Sequence, residues 1–344
     1  MSERIPVDRW VKLWLGAVYF SVLGMVVVGG ITRLTGSGLS MVEWHPLMGA
    51  LPPQNEAEWL RVFQLYQGFP QYSEVNSWMA LAQFKQIFFW EYVHRLCGRL
   101  IGLIVAIPGL VFYLRGRLPA PLGSRVLVAF CLGGAQGLLG WYMVKSGLAG
   151  RPEVSHFRLA AHLLLAFVVG HWVLWILLEI RGPAQSRSRL GFRHACRWVL
   201  ALLTLQIVYG AFMAGTRAGW MSSTFPDMNG HYLPSSALFP GSSVVHDLLN
   251  NPLSIHYAHR ALGWGTAIAV TGLWWFSREH TSAALTRYCR VAFGVVALQF
   301  GSGALTVVFG VPIALAVGHQ AGAYLLLSVL VAIQYESRGT IAEG

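Results

Sequence analysis

Glu91-Tyr92-Val93-His94-Arg95 recurs later in the chain as His256-Tyr257-Ala258-His259-Arg260. Each copy opens a long apolar run, and each is followed two runs later by another histidine, His162 and then His319. The runs themselves decide the fold class. The chain has 344 residues, 55% of them hydrophobic and only 11% charged, where a soluble domain carries about 25% charged residues. Stretches of about 20 apolar residues recur along its whole length, which is the signal of membrane-spanning helices. Eight are expected, at about 10–30, 86–114, 126–145, 156–180, 196–215, 254–276, 288–309 and 314–337. The first lacks a cleavage site and keeps Trp and Tyr at its ends, unlike a signal peptide. No basic, Ser-rich transit segment precedes it, which favours a bacterial inner membrane.

The net charge of +11 does not imply nucleic acid, because topology accounts for it. With the N-terminus inside, most Lys and Arg residues, among them Arg9, Lys12, Arg115, Arg117, Arg125, Arg181, Arg193, Arg278 and Arg290, fall on the cytoplasmic side. This positive-inside pattern puts both termini in the cytoplasm. The four cysteines, Cys97, Cys131, Cys196 and Cys289, form no CxxC or loop pair; Cys97, three residues past His94, reads as a small buried apolar residue in preference to a cofactor contact.

Two long external segments, about 31–85 and 216–253, follow spans 1 and 5, and the other connections are short. The pattern repeats, so the chain reads as a duplicated four-helix unit. Gly29-Gly30-Ile31-Thr32-Arg33 parallels Ala214-Gly215-Thr216-Arg217. Gln136-Gly137 with Gly140 parallels Gln299 with Gly301 and Gly303. The expected fold is an all-α integral membrane protein, with eight transmembrane helices as two tandem four-helix bundles. An even number of spans per half gives both one orientation and a pseudo-twofold axis along the membrane normal. The halves are 1–180 and 196–344, joined by a cytoplasmic linker at 181–195. The first external segment, with Trp44, Pro46, Pro52, Pro53, Trp59 and Trp78, reads as an interfacial structure with a short amphipathic helix from Glu56 to Gln67. The second carries Trp220, Phe225, Pro226, Tyr232 and Pro234.

With this topology every even span begins at the outer face, and His94, His162, His259 and His319 share a depth of roughly 8–12 Å below it. Two facing imidazoles in each half are what a protein uses to hold porphyrin iron in lipid, so all four are candidate axial ligands. His171 is turned to the opposite helix face from His162. His45, His156, His194, His231, His246 and His280 fall in loops or at helix ends and are expected to be solvated. Arginine within a span is costly and normally faces a partner; Arg95, Arg99 and Arg260 would pair with carboxylates such as heme propionates. Glu91 lies on the His94 face one turn nearer the outside, where the second half has His256. It either positions water or accepts a proton beside one iron, or pairs with Arg95 or Lys85.

These residues resemble the heme A synthase family in its mitochondrial and alphaproteobacterial form. The resemblance runs over nearly the whole chain. It is most specific in Gly29-Gly30-Ile31-Thr32-Arg33-Leu34-Thr35-Gly36-Ser37-Gly38-Leu39-Ser40-Met41, in Trp44-His45-Pro46, in Leu51-Pro52-Pro53 and in Glu91-x-x-His94-Arg95. It implies oxidation of the C8 methyl of heme O to a formyl group, through successive hydroxylations, giving heme A for terminal oxidases. It further implies that His259 and His319 ligate a resident heme b, and that His94 and His162 line or ligate the substrate heme with Glu91 essential nearby. A heme O synthase upstream and an unidentified electron acceptor are the partners it implies; a homo-oligomer is compatible with the pattern. One departure is clear: residues 31–85 contain no cysteine, so a first-loop cysteine pair found in some bacterial members is missing. Two other classes fit the four histidines: a membrane electron carrier with two b-type hemes, and a heme carrier that performs no chemistry.

Overall fold

The structure is a computed structural model that describes residues 7–43, 51–148, 150, 152–182, 184, 186–233, 238–240 and 243–340. Its helices are α1 (Arg9–Leu34), α2 (Glu56–Gln67), α3 (Leu81–Leu114), α4 (Ala120–Gly147), α5 (His156–Arg181), α6 (Leu190–Gly215), α7 (Val244–Asn250), α8 (Pro252–His280), α9 (Ala283–Val308) and α10 (Ile313–Glu336). Seven of them, α1, α3, α4, α5, α6, α9 and α10, are long and apolar enough to cross a membrane. The chain is therefore an all-helical, multi-pass membrane protein. Helix α8 is as long as these, with 29 residues, but it is less apolar, because it carries His256, His259 and Arg260 in its first turns. Every expected run except 156–180 falls in a helix that starts earlier than hydropathy alone suggests. The clearest case is α6, which begins at Leu190, inside the segment expected to be a linker.

Local chemistry sets the helix ends. Asp8 accepts a hydrogen bond from the Trp10 amide at the start of α1. Asn251 caps α8 with Pro252 in the first helical position, and Ser282 caps α9; each satisfies amides that the helix leaves unpaired. Pro108 lies inside α3 and removes the donor for the carbonyl of Ile104. The indole Nε1 of Trp14 on α1 donates to that carbonyl at 2.7 Å, which restores the bond in a setting without water.

Helices α1, α3, α4 and α5 contact one another in a ring, as do α6, α8, α9 and α10; α1 also packs on α10, α5 on α6, and α5 on α10. The contact between these sets is the main core. It includes Val18, Val22, Phe167, Val173, Ile176, Leu203, Tyr324 and Leu330. His171 belongs to it: its Nδ1 donates to the Phe167 carbonyl and its Nε2 meets Ser328 Oγ at 3.0 Å. By contrast α3 exposes Leu100, Leu103, Ile107 and Leu110, the surface a lipid-facing helix presents.

The expected helix from Glu56 to Gln67 is found with those bounds as α2. It lies on α3 through Phe63 and Tyr66 against Phe84 and Phe88. Trp44, His45, Pro46 and Pro234 lie outside the described residues. At the opposite end from the histidines, Arg187–Ser188 pairs in parallel with Gly339–Thr340. Arg125 bonds Glu179, and Arg181 bonds the buried Glu336. The segment after α5 is thus tied to the end of α10.

Candidate functional site

The eight residues expected to form the site, Glu91, His94, Arg95, Arg99, His162, His259, Arg260 and His319, all line one cavity of about 1450 Å³ between the helices. Its volume exceeds the roughly 300–1,000 Å³ of a pocket for one drug-sized ligand.

Each histidine is seated on a glycine of a neighbouring helix, and the glycine is what lets the ring lie there. A Cβ on Gly29 of α1 would come within 3.3 Å of His94, and one on Gly140 of α4 within 3.0 Å of His162. A Cβ on Gly210 of α6 would meet His259 at 3.2 Å, and one on Gly303 of α9 would meet His319 at 2.7 Å. Gly210 lies one turn earlier than the Thr-Arg ends of α1 and α6 suggest when they are aligned, so the repeat is displaced there by a turn. One helical turn before Gly140 and Gly303 stand Gln136 and Gln299. Their amides donate to the backbone carbonyls of His162 at 3.0 Å and His319 at 2.7 Å. The Gln-x-x-x-Gly spacing was visible as a repeat; its task of fixing the histidine backbone was not. Ser302 Oγ meets His319 Nδ1 at 3.1 Å, so Nε2 is the nitrogen left to face the cavity.

In α8 and α10 the rings of His259 and His319 have centroids 6.4 Å apart with planes at 82°. One metal ion between two imidazoles, with bonds of about 2 Å each, sets ring centroids about 6 Å apart, so this pair is spaced to share one. No group of three or more His, Cys, Asp or Glu side chains able to hold a bare metal occurs among the described residues. An imidazole pair suits a metal that brings its own equatorial donors, as heme iron does. Among the described residues no ring contact joins His94 to His162. We expect Gly303→Ala to drive its methyl into His319 and to lower bound heme several-fold with the fold intact, as read by visible absorbance per chain.

The acidic and basic residues act as latches on the segments between α1 and α3 and between α6 and α8. The Glu91 carboxylate is 3% exposed. It accepts from Ser40 Oγ and the Met41 amide at 2.7 Å each and from Arg95 at 2.6 Å. Arg95 also donates to the carbonyls of Met41 and Glu43. In the second half Arg260 donates to His256 Nε2 at 2.9 Å and to the carbonyls of Asp227 and Ser222. Asp227 is itself held in a turn, where hydrogen bonds from Thr224 and then Gly230 lower its pKa below the usual carboxylate range. Arg95 and Arg260 thus bind their own loops, and Glu91 adopts the pairing with Arg95 that was one of its two readings. Ser40 was missed, although it stands in the most specific stretch of the sequence, because nothing local links it to a residue 51 positions away. His156, expected to be solvated, instead donates from Nε2 to the Leu249 carbonyl and packs on Phe212. Arg33 at the end of α1 donates to the carbonyls of Ala214 and Gly215, which joins the C-terminal ends of α1 and α6.

Residues 12–331 match the family model described as cytochrome oxidase assembly protein, COX15-CtaA. A heme A synthase from Nitrosospira multiformis is 40% identical over 98% of this chain and 96% of that protein. One from Parvibaculum lavamentivorans is 42% identical over 92% of this chain and 91% of its own length. One from Paramagnetospirillum magneticum is 43% identical over 93% and 92%. With the fold, the cavity and full-length likeness in agreement, this chain belongs to the heme A synthase family, the COX15-CtaA cytochrome oxidase assembly proteins.

Proposed function

We propose that this chain is a heme A synthase, an enzyme that oxidises the C8 methyl of heme O to a formyl group. The observation that carries the reading is the cavity in which four imidazoles are each seated on a glycine, with Glu91 one turn from His94 where the second pair has His256. His259 and His319 would hold a resident heme b, which supplies one-electron transfer when bound. His94 and His162 would hold or line the substrate heme O. Glu91, one turn from His94, is the residue positioned to take a proton at a carboxylate oxygen as the methyl is oxidised. Three donors fix the plane of that carboxylate, so its lone pairs point in set directions. Arg95, Arg99 and Arg260 are the cations available to heme propionates, the first and last through guanidinium groups already anchored to the external loops.

Two tandem four-helix bundles, 1–180 and 196–344, with eight spans are part of the same proposal. Exchanging α1 with α6, α3 with α8, α4 with α9 and α5 with α10 turns the α1–α10 contact into α6–α5 and leaves α5–α10 unchanged. That is the behaviour of an isologous interface about a twofold axis. The basic residues put both termini in the cytoplasm and the histidines near the periplasmic face. A heme O synthase would deliver the substrate, and a separate acceptor would take the electrons.

The test is replacement in vivo. Produced in a bacterium that makes heme O but has lost its own heme A synthase, this chain should restore heme A to membrane extracts. Extracts that contain heme O and never heme A would contradict the assignment.

A further inference from the structure

The two halves part company just beneath the histidines, on the face between the second and third long helix of each. The register of His94 with His259 matches Arg99 to Trp264 and Ile101 to Thr266. The register of Gln136 with Gln299 matches Gly133 to Val296 and Gly137 to Phe300. In the first half Gly133 and Gly137 are exposed, line the cavity and have nothing within 4 Å of an added Cβ. The cavity therefore opens as a slot between α3 and α4. In the second half the same place is filled. Phe300 packs on Trp264 with ring centroids 4.5 Å apart and on Phe225 at 5.8 Å, and Val296, one turn earlier on the same helix, is buried. Thr266 also lines the cavity there; it is 3% exposed, and its hydroxyl has no hydrogen-bond partner.

Heme O differs from heme b by an isoprenoid chain in place of one vinyl group. We propose that the slot between α3 and α4 takes that chain, and that Phe300, backed by Trp264 and Phe225, closes the equivalent slot and bars a prenylated heme from the second pocket. This rests on the reading that the first half receives heme O. An apolar chain fits a groove floored by glycine and facing lipid. In the second half it would collide with the Phe300 ring and would lie on the Thr266 hydroxyl without satisfying it. Shape and polarity together thus sort two porphyrins that share the same ring and the same axial ligands.

The test uses full-length protein purified from cells that also make heme O, with its hemes extracted and quantified by chromatography. Gly137→Phe imports the second-half residue. It should lower prenylated hemes per chain by about tenfold or more while the low-spin spectrum of the resident heme stays. Prenylated heme at the wild-type level would overturn the proposal and leave the slot to membrane lipid. Phe300→Gly introduces no bulk, and it decides the matter if Gly137→Phe fails to accumulate. It should admit heme O to the second pocket, so that part of the low-spin heme becomes prenylated, and heme b alone there would overturn the proposal. Wild-type protein that neither carries nor converts heme O would instead sink the functional reading, and this proposal with it.

Discussion

Glu91→Gln should leave the protein folded, with its resident heme spectrum unchanged, and should lower heme A formation by about 100-fold or more, the scale of a lost general base. Glutamine keeps the size of the side chain and an oxygen to accept from Ser40 and the Met41 amide. It loses the charge that faces Arg95 and the ability to take a proton. The measurement is heme A produced per chain, beside the low-spin absorbance of the same sample. Normal product formation would remove Glu91 from the chemistry and leave it only as the latch that holds residues 40–43 to α3. Glu91→Ala is the cruder variant. It strands the 11%-exposed Arg95 side chain without its partner, and breaking a buried ion pair on one side costs about 3–5 kcal/mol. Lost activity there would mix chemistry with a displaced loop.

His259→Ala or His319→Ala should deplete the low-spin heme by about tenfold or more. Loss of a residue that merely orients a metal ligand costs about 10–100-fold in affinity, and these side chains are assigned as the ligands themselves. The substitutions fall in α8 and α10, whose packing on α6 and α9 continues well beyond the histidines, so the helices should still assemble. Absorbance per chain after purification reads the effect. A full low-spin spectrum in either variant would move the resident heme to the other half of the cavity.

Much of this was legible in the sequence because it is local. Helical periodicity puts Glu91 and His94, or His256 and His259, on one face whatever the rest of the chain does. The amphipathic pattern of 56–67 defined α2 to the residue. The apolar runs located the long helices, although the basic start of α6 concealed its true beginning at Leu190. What stayed hidden depends on distance along the chain. The bond from Ser40 to Glu91, the hold of Arg260 on the turn at Asp227, and the packing of His156 on Phe212 each join segments that no spacing rule relates. The aromatic closure by Trp264 and Phe300 was hidden for another reason: Arg99 and Gly137 are so unlike them that a search for repeated residues passes over the pair. Under the proposed function, difference between the halves, beginning with Glu91 against His256, matters as much as their likeness.

The most direct measurement is the identity of the hemes in the purified protein from cells that supply heme O. One heme b per chain, together with heme O, its hydroxylated form or heme A, is the expected result. Two heme b per chain and no prenylated heme would contradict it and would make the protein an electron carrier.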